Sequence, residues 1–265
     1  MPNYSVSIIV PAYNEEATIA VILEKLRQHV SNLKEIVVVD DCSRDSTCAE
    51  VERLAYPNVR LVRQNPNQGK TAAVRRGLQE VSGDIVAIQD ADLEYDPAEL
   101  DSVIAPIAED KADVVYGSRF LVRRATRVLY FFHYVANKSL TLLSNCFTNT
   151  NMSDIETCYK VFRAPLLQRM PLTSSGFGME VEITASVTKT KARIYEVPIS
   201  YYGRTYEEGK KIKFSDGLAA LWYIFSYNLS PLFSAARRKY IAEANQFLEG
   251  RKTESEKARA VAMKN

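Results

Sequence analysis

The chain has 265 residues, 46% hydrophobic and 25% charged, a balance that excludes a disordered polypeptide and allows one large domain or a domain with an appendage. The formal net charge of +2 conceals three basic clusters, Arg123, Arg124 and Arg127, then Lys210, Lys211 and Lys213, then Arg237, Arg238 and Lys239, which suit phosphates or an anionic membrane surface, or stand as solvated surface charge. Cys42, Cys48, Cys146 and Cys158 show neither a C-x-x-C pair nor a zinc-like spacing with histidine, so reduced thiols and a cytosolic setting are expected.

In chain order, strands are predicted near residues 5–10, 35–39, 59–63, 84–88 and 113–116, with helices near 15–29, 45–55, 70–81 and 97–109. This alternation predicts an α/β fold with a doubly wound, mostly parallel sheet, in which ligands bind beyond the carboxyl ends of the strands. Ser7-Ile8-Ile9-Val10 is too short for a signal-peptide core and reads as the first strand. Beyond residue 120 come an aromatic stretch from Val128 to Leu143, short strands near 157–162, 193–197 and 199–203, and a helix near 179–188. The uncharged run from Gly217 to Ala236 holds Asn228 and Pro231, and it reads as an interfacial or buried helix. Residues 1–235 are expected to be one domain, with an α/β half at 1–120 and a second half at 121–235 built on amphipathic helices. A charged helix that frays into a disordered tail is expected over 236–265.

The chemistry should therefore lie at the strand ends. Asp90-Ala91-Asp92 follows the strand Ile85-Val86-Ala87-Ile88, and two carboxylates at i and i+2 suit a divalent cation that bridges phosphates, Mg²⁺ or Mn²⁺. Glu94 is placed to join them directly or through water. Capping is the competing role, but Asp96-Pro97 meets that need alone. Asp40 at the tip of the second strand suits a nucleobase N–H or a ribose hydroxyl, with Tyr13 packing nearby. Asp45 or Ser46 reads as a helix cap, and Asn67-Gln68-Gly69-Lys70 offers backbone N–H groups and an ammonium to phosphate or carboxylate.

Taken together, Val10-Pro11-Ala12-Tyr13-Asn14-Glu15, Val39-Asp40-Asp41-Cys42-Ser43-Arg44-Asp45-Ser46-Thr47, Asn67-Gln68-Gly69-Lys70 and Asp90-Ala91-Asp92-Leu93 resemble the inverting family 2 glycosyltransferases, which have the GT-A fold. Gly117-Ser118-Arg119, the segment from Ser153 to Arg163 and the segment from Gly203 to Lys210 narrow the likeness to the dolichol-phosphate mannosyltransferase-like, polyprenyl-phosphate branch. The resemblance implies that Pro11, Tyr13, Glu15, Asp40, Asp90 and Ala91 hold the nucleotide, and the ammonium of Lys70, read from its own motif, is expected to join them. It implies too that Asp92 and Glu94 hold the metal and that Arg119, Arg204 and Lys210 hold phosphates. The chain departs from that branch with Glu94 in place of a glutamine, with Cys158-Tyr159-Lys160-Val161-Phe162-Arg163 in place of a Ser-Gly-Phe-Arg segment, and with Glu208-Gly209-Lys210-Lys211 in place of Gly-x-Ser-Lys. His133 and Asn137 fall where relatives face the lipid phosphate with an arginine and a small polar residue.

The expected reaction moves a hexose from a UDP- or GDP-sugar to a polyprenyl (dolichyl or undecaprenyl) phosphate. Such an acceptor is an anion near neutral pH, its second pKa being about 6, so no general base is required. A hydroxyl acceptor, on a glycan or a small molecule, would need Asp154 or Glu156 as base, unless these acids pair with Lys160 or Arg163. The aromatic stretches 128–134 and 218–225, beside arginines, predict peripheral contact with a membrane, at the inner face of the cytoplasmic membrane. Nucleic acid is not an expected partner, and self-association into a homo-oligomer is left open. A nucleotidyltransferase would carry a Gly-rich basic loop after the first strand, which Pro11-Ala12-Tyr13-Asn14-Glu15-Glu16 is not.

Overall fold

Long apolar runs form the centre of the sheet. In the computed structural model, which describes residues 4–121, 127–128, 130–175, 178–205, 207, 214–229 and 234–262 (without the side chains of 214–216 and 254–262), strands β1 (Val6–Ala12) and β4 (Ile85–Ile88) are buried at every residue. Strand β2 (Leu33–Asp40) is buried from Glu35 onward. Strands covered on both faces have no polar side to alternate with. β3 (Val59–Arg63) and β7 (Ile194–Pro198) are half-exposed because they form the two edges of a seven-stranded sheet of order β3-β2-β1-β4-β6-β5-β7, with β5 at Val114–Ser118 and β6 at Lys160–Arg163. Only β6 runs against its neighbours β4 and β5; the other pairs are parallel.

Helix α1 (Ile19–His29) buries Ile19, Ile22, Leu23 and Leu26, an i, i+3, i+4, i+7 stripe, and packs on α2 (Thr47–Leu54). Helix α3 (Lys70–Gly77) lies on β1 and β2, approaching so closely that a Cβ at Gly77 would stand 2.6 Å from Ile9 Cγ2. Asp96 caps a 3-10 turn at Pro97–Glu99, accepting from Ala98 N at 3.3 Å, and α4 (Leu100–Ala108) follows. Since Asp96 serves as the cap, Asp90 and Asp92 are released from that duty. The order of the sheet reverses between β1 and β4, which opens a crevice beyond their carboxyl ends.

The second half of the chain closes over this crevice. Helix α5 (Phe131–Thr148) takes up most of the aromatic stretch, α6 (Ala164–Gln168) follows β6, and α7 (Met179–Val187) is enclosed by α5, by α8 (Phe214–Leu229) and by α9 (Ala235–Ala262). Two expectations change. Residues 199–205 do not form a strand: Ser200 gives its N–H and hydroxyl to Glu99 at 2.7 and 2.8 Å, and Tyr202 gives its N–H to the Glu94 carbonyl, so these groups are taken from any ladder. The charged C-terminal segment stays helical to Ala262, past Thr253, and Tyr240, Ala244 and Leu248, spaced at four residues, bury one face of it.

The apolar residues of α5 and α8 that do not reach the core remain on the surface. Phe132 is 83% exposed and Trp222 69%, and Phe147 and Phe225 meet edge-on at 5.3 Å where the two helices pack. Among the described residues no helix is long and apolar enough to cross a membrane.

Candidate active site

The ends of β1 and β2 are tied together by their loops. Asn14, at φ 53°, receives Arg44 N on its side-chain oxygen at 2.8 Å and donates its own N–H to Ser43 Oγ at 2.9 Å. Glu15 N reaches Thr47 Oγ1 at 2.8 Å, and Asp45 accepts from Thr47 N at 3.0 Å, which makes Asp45 rather than Ser46 the side chain that caps α2. Pro11 and Ala12 are paired with Val39 and Asp40, so Tyr13 and Glu15 leave the sheet beside Asp40. Asp40 is buried; its Oδ2 accepts from Ser43 N at 3.1 Å, and its Oδ1 has no hydrogen-bond partner among the described residues. A buried carboxylate oxygen of that kind is an acceptor held ready for a donor from outside the chain.

Asp41 has a different task. It accepts from Gln68 N at 2.8 Å, Gly69 N at 2.6 Å and Gln64 Nε2 at 2.8 Å, so the Asn67-Gln68-Gly69 loop spends these N–H groups on this carboxylate and not on a phosphate. Gly69, at φ 87°, allows the turn. Asp41→Ala strands those donors and is expected to cost about 2–3 kcal/mol. A thermal-unfolding midpoint lowered by roughly 5 °C or more would show it.

Lys70 is held between two carboxylates, Asp90 Oδ1 at 2.9 Å and Glu180 Oε1 at 3.2 Å. Burial disfavours the ammonium, but Asp90, Cys158 and Glu180 outweigh burial and hold it well above the ordinary lysine range. Asp90 is lowered in turn, Lys70 overcoming the effect of burial. Ala91, between the acids, is buried.

Asp92 and Glu94 converge on one cation, Arg204. Its Nη2 lies 2.7 Å from Asp92 Oδ2 and its Nε 3.0 Å from Glu94 Oε1, while Tyr201 donates to Glu94 Oε2 at 2.9 Å. Burial, then repulsion from Asp90 and Glu94, push Asp92 up to about 7 against the pull of Arg204. Two crowded oxygen donors that need a positive charge fit a hard divalent ion, whose remaining ligands would be phosphate and water. Among the described residues no group of three or more His, Cys, Asp or Glu side chains is placed to hold a metal ion.

Arg119 and Asp154 form a two-pronged pair, Nε to Oδ2 at 2.7 Å and Nη2 to Oδ1 at 2.8 Å, with the guanidinium 5.1 Å from the Tyr201 ring centre. Asp154 has no exposed surface, and Arg119 overrides burial to lower its carboxyl. An acid so placed neither reaches a hydroxyl nor accepts its proton, which leaves Asp154 unsuited to the role of base. Its partner is Arg119, not Lys160 or Arg163; Arg163 instead binds Asp110 and Asp113 at the opposite ends of the strands. Lys210 lies outside the described residues. His133 and Asn137 sit half-buried on α5, and the neighbouring Lys138 donates to the Ser153 carbonyl at 3.3 Å and faces the Phe120 ring.

Glu180, Tyr201 and Lys138 escape a reading by motif. The signal for Glu180 was present, because Glu180 and Glu182 open a helix whose other residues are apolar or small, and acids enclosed in this way have to meet cations inside the protein. Behind it, Glu156 Oε1, Thr157 Oγ1 and Glu180 Oε2 are buried with no hydrogen-bond partner among the described residues. Burial and then Glu180 push Glu156 up to about 7 from an ordinary 4.5. Between those values the folded chain holds a proton that the unfolded chain has lost, so stability falls as pH rises through this window. Glu156→Gln is expected to remove its share of that slope, up to about 3 kcal/mol, and to leave the share that Asp92 contributes over the same window, in unfolding midpoints compared at pH 5 and pH 7.5.

The family profile described as "Glycosyl transferase family 2" matches residues 7–170, from the first residues of β1 to the end of α6. A dolichol-phosphate mannosyltransferase of Pyrococcus furiosus is 28% identical over 210 residues, 77% of this chain and 58% of that protein. An undecaprenyl-phosphate 4-deoxy-4-formamido-L-arabinose transferase of Salmonella choleraesuis is 27% identical over 215 residues, 79% of this chain and 63% of that protein. The chain thus spans less than two thirds of the length of either relative. A glucosyl-3-phosphoglycerate synthase from Mycobacterium tuberculosis, solved with Mn²⁺, UDP and phosphoglyceric acid, superimposes with a TM-score of 0.68 at 19% identity, over 85% of this chain and 79% of that one, and has the same GT-A fold. The family match runs through the strand ends that carry Asp40, Asp90, Asp92 and Arg119 and through the loop that carries Asp154, and by it the chain belongs to glycosyl transferase family 2.

Proposed function

We propose that the chain transfers a hexose from a UDP- or GDP-sugar to a polyprenyl phosphate, with inversion at the anomeric carbon. The observation that carries this reading is the pair Asp92 and Glu94 held by Arg204 at the switch point of the sheet, 2.7 and 3.0 Å away, with Asp40 buried at the adjacent strand end. Asp40 takes the nucleoside through its unpartnered oxygen, with Pro11, Tyr13 and Glu15 alongside. Asp92 and Glu94 would hold Mg²⁺ or Mn²⁺, which when bound supplies positive charge to the leaving diphosphate. Arg204 exchanges its two carboxylates for phosphate oxygens, and Lys210, eight residues short of Leu218 in the sequence, adds a second cation. The unpartnered Oε2 of Glu180, whose other oxygen meets Lys70 at 3.2 Å, suits a hydroxyl of a hexose. Both relatives named above act, by their names, on lipid-linked phosphates or sugars.

A phosphate acceptor needs no base, and Asp154, paired and buried, offers none. What it needs is charge neutralisation and in-line placement, a task for Arg204 and for Arg119, whose side chain is paired with Asp154 and keeps 11% of its surface exposed. The exposed aromatic faces of α5 and α8 suit a membrane surface from which such a lipid is drawn. A hydroxyl acceptor is the second reading, and one observation favours it: Glu156, raised to about 7, has the proton affinity of a general base.

The test is a radiolabelled UDP- and GDP-sugar panel with MnCl₂ and polyprenyl phosphates, scored for label extractable into organic solvent. Extractable product that survives Glu156→Gln supports the phosphate acceptor. Absence of such product across the panel, or its loss in Glu156→Gln together with retained folding, counts against it.

A further inference from the structure

Glu180 and Lys70 close the crevice from the side of α7, and α7 is itself anchored by a buried ion pair that the reading above leaves unused. Glu182, fully buried two residues past Glu180, accepts from Thr173 N at 2.9 Å, Thr173 Oγ1 at 2.7 Å and Ser174 N at 2.8 Å. Its cation is Arg237, in the first turn of α9, with Nη2 at 3.0 Å and only 6% of the residue exposed. The guanidinium also lies 4.1 Å from the centre of the Tyr227 ring on α8. The segment pinned by Glu182 touches the donor side directly: Ser174 Oγ is 3.4 Å from Thr71 Oγ1, the residue after Lys70. Arg237 therefore ties α9 to the two parts of the chain that flank Lys70, namely the 173–174 turn and the start of α7.

We propose that Arg237 is a positioning residue which, through Glu182, sets the first turn of α7 and with it Glu180 and Lys70 at the sugar end of the donor site. Removing the cation leaves a buried carboxylate unpaired, and the planar guanidinium, with Nη2 on Glu182 and Nη1 on the Tyr227 carbonyl at 3.4 Å, fixes an orientation that a point charge does not. The strut comes from residues beyond the 7–170 stretch that matches the family, so the C-terminal helix contributes to the site without touching the donor. The inference rests on the donor reading of the crevice, and its test separates the two.

The full chain, Arg237→Met and Arg237→Lys are compared for binding of UDP, UDP-glucose, GDP and GDP-mannose with MnCl₂ by calorimetry, for turnover, and for amide hydrogen exchange. In Arg237→Met the nucleoside diphosphate should bind within about twofold of wild type, because Asp40 is untouched, while nucleotide-sugar affinity and kcat fall about tenfold, the scale for loss of an outer-shell partner. Exchange should quicken over residues 173–182 and not over β1 and β2. Arg237→Lys, which keeps the charge and loses the fork, should fall between the two, and it carries the same comparison if the methionine variant does not fold. Unchanged sugar-nucleotide affinity and kcat with only a lowered unfolding midpoint would overturn the proposal, as would a parallel fall in nucleoside diphosphate affinity. If the wild-type chain binds none of the four nucleotides, the donor reading fails, and the exchange pattern alone decides whether Arg237 holds α7.

Discussion

Asp92→Asn is expected to lower turnover by about 10³-fold, equivalent to roughly 4 kcal/mol of lost transition-state stabilisation. Asparagine keeps the shape and the Oδ1 that accepts from Glu94 N at 3.1 Å, so the local turn should survive. What disappears is the charge that would face a divalent ion. Stability is expected to move the other way or not at all, because burial and the neighbouring Asp90 and Glu94 already disfavour the Asp92 carboxylate, and an uncharged side chain relieves that repulsion. Turnover with the transferred label, set beside the unfolding midpoint of the same preparation, checks both halves. A variant with wild-type turnover would remove Asp92 from the site.

Arg204→Gln is expected to separate two quantities that usually fall together. Turnover should drop by about 100-fold, the loss that follows removal of one donor to a developing anion. Binding of Mn²⁺ in the absence of nucleotide should become tighter. Arg204 bridges Asp92 and Glu94 across 2.7 and 3.0 Å, the same oxygens a cation would use, and any ion must first displace it. The guanidinium is only partly exposed, so its pull on the two acids is weakly screened. Titration of Mn²⁺ followed by electron paramagnetic resonance reads the affinity without any turnover. Weaker or unchanged Mn²⁺ binding would show that the arginine does not compete for those carboxylates.

Much of the architecture is legible in the residue order. The apolar runs 6–10, 36–39 and 85–88 become the fully covered centre of the sheet, and each ends at an acid or a turn residue, so Asp40, Asp90 and Asp92 emerge at one edge as spacing alone suggests. The cap at Asp96 was equally visible, since Asp-Pro ahead of a helical pattern carries its own explanation. The expected strand at 199–203 failed for a reason no local pattern holds: its donors are claimed by Glu94 and Glu99, about 100 residues away in the chain.

The partners of the charged residues belong to the same class. Arg204 meets Asp92 across 112 positions, Arg119 meets Asp154 across 35, and Lys70 meets Asp90 across 20 and Glu180 across 110. Sequence by itself determined which chemical groups stand at the strand ends, because hydrophobic period and turn chemistry are local and set where a strand stops. Only the tertiary structure decided which cation answers which carboxylate, that Asp154 is neutralised by Arg119, that Asp41 holds a loop, and that a helix at the C-terminus reaches Glu182. Those pairings depend on a few ångströms between segments far apart in the chain, and electrostatic and hydrogen-bond energies change steeply over such distances.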